Sequence, residues 1–428
     1  MNTLIGFRIS PMIKVSVIVA VTFLIMLSCD IYSDLPEANR ILDAPLEDLT
    51  PEQISLHLKG DEEFGRRFTT EEGVGPIFVA SSCDSCHPGE GKGHPVFNLA
   101  RFGQMGEDGF DPMPEQGGPQ LQNRAAPGFN PERIPEEATG VAEFMAPVVV
   151  GLGFLEAVDD TTILNMADPD DSDGDGISGR PSLIDSSDFL VGVAEAGELV
   201  KGGNDVRFRM WDGKFIGRFG KKAITVNLLH QTVTAYHQDM GLTTDLIPKD
   251  LFNVQSAGIS SEDTVPDPEI PSSVVSNVVF YLKTLRAPQR RNEDQPEVIA
   301  GEKLFAEIGC ASCHVPKLKT GKSSIPQLSE VEFYPYTDLL LHDMGPELDD
   351  GYTEGSAETY EWRTPPLWGL GLAEEFQGGE AFYLHDGRAE TLRDAIEFHG
   401  GEAAASRDAF RSLSGEEADK LIKFLKSL

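Results

Sequence analysis

The chain has 428 residues, with 35 basic side chains against 70 acidic ones and a formal net charge of −35. That balance argues against nucleic-acid binding, which needs a basic face for phosphates; it suits solubility and would steer cationic partners. The length and ordinary apolar content are enough for two or three packed domains.

Residues 1–28 read as an export signal. Arg8 and Lys14 precede the apolar run "VSVIVAVTFLIMLSC", and no acid interrupts them. The run is short of the roughly 20 residues a membrane span needs. Ser28-Cys29 resembles a bacterial lipidation box, in which Cys29 becomes a lipidated N-terminus. Plain export and an uncleaved anchor are the other two readings. All three place the bulk of the chain in the periplasm or cell envelope, with membrane contact only through the anchor.

Residues 29–50 read as a polar tether. "TPEQISLHLKGDEEFGRRF" predicts one or two short helices leading into "SSCDSCH" at 81–87. The glycine- and proline-rich stretch 88–140 has few periodic runs. A loop region that long needs something other than a core to order it, and a covalently held haem would serve. "VAEFMAPVVVGLGFLEAV" is apolar enough to be buried, and "DTTILNMA" predicts a short helix. In "DPDDSDGDGISGR", Asp171, Asp173 and Asp175 alternate before Gly176, as in the first half of a calcium loop. Ser182 stands where the twelfth-position acid belongs, so calcium and a solvated acidic turn both remain open. A helix is predicted over 223–239 and another over "SSVVSNVVFYLKTLRAP", ended by Pro288. The charged "RRNEDQPE" marks a boundary between an N-terminal domain, 51–290, carrying a large insertion, and a C-terminal domain, 295–428. The second domain opens with a helix running into "GCASCH" and closes on "SGEEADKLIKFLKSL", where Ser414 and Glu417 form a capping box. Helix, C-x-x-C-H, loops, terminal helix is the order of a small cytochrome c domain. The expected fold is mainly α, with two cytochrome c-like haem domains, long loops and little strand.

The chemistry lies in the cysteines, which are Cys29, Cys83, Cys86, Cys310 and Cys313. Four of them form two C-x-x-C-H units. Cysteines three apart on a helical turn suit thioether bonds to the two vinyl groups of one haem, with the next histidine as axial ligand. A zinc site would need two pairs more than 220 residues apart to converge. A redox dithiol would not need His87 or His314. Two c-type haems are therefore expected, ligated by His87 and His314. For the sixth position of the second haem, Met344, His342 and Tyr360 stand as candidates; a methionine would raise the potential. For the first haem, an open position is expected, with His94 as the nearby alternative.

The stretches "DGDGISGR", "GRFGKKA", "QDMGLTT", "YTDLLLHDMGPELDDG", "EWRTPPLWGLG" and "YLHDGRAETLRDAIEFHGGEA" resemble the dihaem oxidoreductases, peroxidase-like proteins sometimes called thiol oxidoreductases. The likeness runs from about residue 75 to 428. More distantly the chain resembles bacterial dihaem cytochrome c peroxidases and the methylamine dehydrogenase maturation enzyme. The resemblance implies an active haem in the first domain, with Gln231 and Asp239, followed by Met240, near the bound peroxide; a helix-end acid is the other reading of Asp239. It places Lys221 where the family carries a tryptophan between the haems, with Trp211 as a substitute. It implies a calcium held partly by backbone carbonyls at Thr337 and Leu339. It sets His385, Asp386 and Arg388 near the second haem, where Arg388 either pairs a haem propionate or builds a turn. The implied activity is reduction of hydrogen peroxide with electrons from a small donor protein, a cytochrome or cupredoxin. A pure electron carrier and a peroxide-dependent oxidase of a protein substrate are the alternatives.

Overall fold

The computed structural model describes residues 41–107, 109–185, 213–256 and 263–428. The export segment, Cys29 and Trp211 lie outside them. Six helices position the site: α1 (Pro51–Gly65), α2 (Leu228–Met240), α3 (Ser272–Thr284), α4 (Pro296–Glu307), α5 (Leu392–Glu397) and α6 (Gly415–Ser427).

The chain starts α1 with a capping box. Gln53 N–H donates to Thr50 Oγ1 at 3.2 Å, and Thr50 N–H donates to Gln53 Oε1 at 2.9 Å. His57, Gly60 and Phe64 recur on one buried face, which packs against α3. At that crossing a Cβ on Gly60 would fall 2.2 Å from the Asn277 carbonyl oxygen. The same device recurs where α4 meets α6: a Cβ on Gly301 would fall 2.0 Å from the Lys420 carbonyl oxygen. In both helices a phenylalanine follows the glycine by one turn, Phe64 and Phe305, and each lies beside a motif histidine. The ring centroids are 6.2 Å apart for Phe64 and His87, and 6.3 Å apart for Phe305 and His314. α6 carries the capping box its sequence announces.

Two expectations shift. The stretch 88–140 is not only loop. β1 (Leu99–Gly106) pairs antiparallel with β2 (Gly109–Asp111) and with β3 (Gly140–Phe144), making a three-stranded sheet. β3 alternates buried and exposed residues, the period-two signature of a strand with one face covered. α2 begins at Leu228 rather than 223, because Asn227 caps it and accepts from His230 N–H at 2.8 Å. Residues 218–225 form a tight turn instead, with positive φ at Gly220 and Ala223. Among the described residues the remaining sheets are two-stranded, including β4 (Ser182–Asp185) with β5 (Lys214–Gly217), and β6 (Leu341–Asp343) with β7 (Glu361–Arg363). The fold is mostly helical with small sheets.

Residues Leu42–Leu428 form one unit. Its main core joins α1, α2 and α3, and a second core joins α4, α5 and α6. Among the described residues no helix is long and apolar enough to cross a membrane.

Candidate functional site

Each C-x-x-C-H segment winds as one helical turn. His87 N–H donates to the Cys83 carbonyl at 3.0 Å, and His314 N–H donates to the Cys310 carbonyl at 3.0 Å. Both imidazoles are then oriented alike by a backbone carbonyl. Nδ1 of His87 meets Pro147 O at 2.8 Å, and Nδ1 of His314 meets Tyr336 O at 3.0 Å. A carbonyl accepts only, so Nδ1 carries the proton and Nε2 keeps its lone pair. Burial lowers both rings to a pKa of about 4, so both are neutral.

The two turns open onto one cavity of about 460 Å³, lined mostly by apolar side chains and reached by Cys83, Cys86, His87, Cys310, Cys313 and His314. Packed interiors leave few voids larger than a water molecule. A space of this size falls in the range of ligand sites. The cysteines are unbridged. Burial pushes the thiols of Cys83, Cys86 and Cys310 up to about 12, the opposite of a reactive redox dithiol. Among the described residues the two motifs do not converge on a common metal-sized point, as a zinc site would require.

The cavity also gathers cations. Lys92, Lys221 and Arg363 line it, each half-buried. Desolvation lowers all three: Lys92 to about 7, Arg363 to about 10 and Lys221 well below its ordinary value. Lys221 is depressed further by Lys92 and Arg363, with Asp386 as the carboxylate opposing them. An apolar void, two neutral imidazole nitrogens and a group of basic side chains whose charge an anion would restore together fit haem. It offers an apolar macrocycle, an iron that accepts nitrogen ligands and carboxylates that neutralise cations.

The neighbours of Lys221 in "GRFGKKA" have other work. Arg218 pairs with Asp160 and donates to the Val158 carbonyl at 2.6 Å, pinning 155–160 to the turn. Lys222 Nζ donates to three carbonyls, of Glu358, Thr359 and Glu361, and lies 3.9 Å from the Trp362 ring centroid. Lys221 alone of the three faces the cavity.

Asp239 and Gln231 both line the cavity from α2. Gln231 Oε1 accepts from Thr225 Oγ1 at 2.8 Å. Asp239 is half-buried at the cavity wall, and its burial raises its pKa against the opposing pull of Gln120 and Arg101. Gln120 Nε2 donates to Asp239 Oδ1 at 2.8 Å, and Arg101 holds Gln120 in turn at 3.1 Å. Met240 also reaches the cavity. Gln120 was not singled out from sequence, since it lies 119 residues away on an irregular segment.

Other candidates separate. Met344 lines the cavity; Tyr360 does not and is 37 % exposed, so it is set aside as an axial ligand. His342 is clamped between Asp338 Oδ2 at 2.8 Å and Glu402 Oε2 at 2.7 Å, which leaves neither nitrogen free. His94 caps a short turn through Val96 N–H at 3.2 Å and does not line the cavity. Arg388 lies outside the cavity lining as well. It binds Asp386 at 2.7 Å, Asp350 at 2.6 Å and the Glu347 carbonyl at 2.7 Å, so it builds a turn rather than facing a propionate. His385, held by Asp350 at 2.6 Å, stacks on Trp362 at 3.7 Å and lines the cavity. Thr337 and Leu339 sit in a buried turn with positive φ at Leu339. The carboxylates of Asp171, Asp173 and Asp175 lie within 4.8 Å of one another on the surface, each accepting from a backbone N–H of its own loop. His399, unremarked in the sequence reading, also lines the cavity.

A comparison with curated proteins gives no match. Two solved structures are similar over most of their length. Kuenenia stuttgartiensis hydrazine synthase shares 15 % identity over 92 % of this chain and 92 % of its own, with a TM-score of 0.37. A MauG-like protein associated with microbial copper homeostasis shares 15 % identity over 92 % of this chain and 94 % of its own, with a TM-score of 0.36. At such scores neither likeness bears on fold or function. The family described as "Di-haem oxidoreductase, putative peroxidase" matches residues 138–428, a span that holds Lys221, Gln231, Asp239 and the second motif but begins beyond the first. The chain belongs to that family of haem-dependent redox enzymes.

Proposed function

We propose that the chain is an exported dihaem c-type peroxidase that reduces hydrogen peroxide. Cys83 and Cys86 would hold one haem through thioethers with His87 beneath it. Cys310, Cys313 and His314 would hold the other. Haem supplies the iron redox chemistry; the protein supplies position, exclusion of water and protons. The observation that carries the reading is Asp239, a carboxyl in the wall of the cavity that holds His87. Its raised pKa makes the carboxylate a better proton acceptor than an exposed aspartate. Splitting the O–O bond requires a proton to leave the near oxygen and reach the departing one, which a positioned carboxyl performs by accepting and then donating. Gln120 fixes the carboxyl from behind. The amide nitrogen of Gln231 would bind a peroxide oxygen.

Two electrons and two protons convert each peroxide to two waters. The electrons would enter at the second haem from a small cytochrome or cupredoxin, and the acidic surface suits a cationic donor. A lipid on Cys29 would hold the protein to the cell envelope. Calcium on the Asp171–Asp173–Asp175 loop is an addition that the peroxide chemistry does not require.

The test is steady-state peroxide turnover with a reduced donor, in the unmodified holoprotein and in Asp239→Asn. The variant should lose about 10²–10⁴-fold in kcat with its haem absorption unchanged. Absence of turnover in the unmodified protein, with both irons low-spin in every redox state, would establish the electron carrier in place of the peroxidase.

A further inference from the structure

Five histidines line the cavity: His87, His314, His342, His385 and His399. A metal-binding imidazole must be neutral and have one nitrogen free, with the other commonly fixed by a carbonyl or carboxylate. His342 has both nitrogens taken, and His385 spends Nε2 on Asp350. The other three share one arrangement. Nδ1 meets a backbone carbonyl, at 2.8 Å for His87, 3.0 Å for His314 and 2.7 Å for His399, whose acceptor is Ala395 O. In each, Nε2 makes no hydrogen bond among the described residues. Two of these rings belong to the C-x-x-C-H turns; the third belongs to no motif.

His399 follows α5, whose Ala395 and Ile396 share a hydrophobic cluster with Phe305 and Cys310, which places it on the side of the second motif. Its corner is held firmly. Gly400 N–H donates to Met344 O at 3.2 Å. The Glu402 carboxylate takes hydrogen bonds from Ser178 at 2.8 Å and from Asp343 N–H at 3.3 Å. Neither glycine admits a side chain: a Cβ would fall 2.8 Å from Met344 O at Gly400 and 2.3 Å from Asp343 O at Gly401, where φ is also +49°. A ring so fixed is preorganised as a ligand.

We propose that His399 is the second axial ligand of the haem carried by Cys310, Cys313 and His314. This rests on the reading of both motifs as haem sites. It displaces Met344 from the role its sequence position suggested. Two imidazoles close that iron to small ligands, which leaves peroxide to the first site and gives the second the character of an electron-transfer centre.

The experiment is electron paramagnetic resonance and near-infrared magnetic circular dichroism of the ferric holoprotein. It compares the unmodified chain with Met344→Leu, His399→Met and His399→Ala, and counts covalent haem per chain by alkaline pyridine absorption. A bis-imidazole low-spin signal is expected in the unmodified chain and in Met344→Leu. In His399→Ala it should give way to a high-spin signal that added imidazole reverses. A sulfur-to-iron charge-transfer band should appear only in His399→Met. Such a band in the unmodified chain, lost in Met344→Leu, overturns the proposal, as does a low-spin signal untouched by His399→Ala. Should His399→Ala fail to retain haem, the first two spectra decide. Fewer than two covalent haems in the unmodified chain overturns the haem reading itself.

Discussion

Replacing Gly301 with alanine tests the helix crossing that seats the second motif. The new Cβ would lie 2.0 Å from the Lys420 carbonyl oxygen, 2.6 Å from its carbon and 2.8 Å from Phe424 Cβ. Ordinary contact begins at 3.4 Å, so α4 and α6 must part by about 1.4 Å or bend. A radial gap of about 0.5–1 Å already forfeits a quarter to a half of each dispersion contact, and this interface holds Phe305, Leu421, Phe424 and Leu425. Overpacking typically costs about 1–3 kcal/mol. Alanine returns about 0.8–1 kcal/mol of helix propensity. The obstacle is backbone and cannot rotate aside, which sets the cost at the upper end, so we expect a net loss of about 2 kcal/mol. Gly415, in the first turn of α6, is the control: nothing lies within 4 Å of its Cβ, so alanine there should stabilise by about 0.4–1 kcal/mol. Guanidinium unfolding of the two holoproteins, followed by far-ultraviolet circular dichroism, measures both. A Gly301→Ala variant as stable as the parent, or shifted in the same direction as Gly415→Ala, refutes the close crossing.

Burial raises the Glu132 carboxyl to about 7, against the pull of a hydrogen bond from Gln122 N–H. A folded pKa above the unfolded one makes its ionisation a penalty on the native state, absent below about pH 4.5 and complete above about 7. Glu132→Gln should therefore gain about 1–2 kcal/mol at pH 8, after allowance for solvent screening, and nothing at pH 4; equal gains at both values would show that charge is not the cause. Lys221→Trp removes a basic group that Lys92 and Arg363 disfavour in its charged form and places an aromatic ring in the cavity. Electron equilibration between the two irons after pulse reduction should quicken, and an unchanged rate would show that Lys221 does not lie on the route.

Local chemistry was legible and assembled chemistry was not. The two C-x-x-C-H turns, the C-terminal capping box, the last turn of α2 and the start of α3 each depend on residues a few positions apart, and each stands in the fold; α3 itself stops at Thr284, short of Pro288. The sheet of β1, β2 and β3 was hidden because its strands pair across a long glycine- and proline-rich connection, and β1 shows no clean alternation of burial. Arg388 reads equally as a propionate partner or a turn residue. The choice falls to Asp350, 38 positions away, which no local pattern brings to it. The one usable signal for His399 was the Gly400-Gly401 pair after it, which marks a corner pressed against other backbone.

The cation run at 218–222 shows the same limit from the side of charge. By composition Arg218, Lys221 and Lys222 are equivalent, yet their environments assign them opposite roles. Arg218 and Lys222 end on carbonyls and a carboxylate, so their desolvation is offset within the protein. Lys221 ends in the cavity near Lys92 and Arg363, where its charged form is suppressed and, among the described residues, no side-chain hydrogen bond compensates it. Arg363 ends on the Gly220 and Thr364 carbonyls, at 2.9 and 3.2 Å, and Asp386 opposes the desolvation of Lys92 and Lys221, so Lys221 is the basic group with most to gain from a bound anion. The carboxylates of haem would be anions of that kind. Such a pairing would give a reason for lysine at a position where the family resemblance leads one to expect tryptophan.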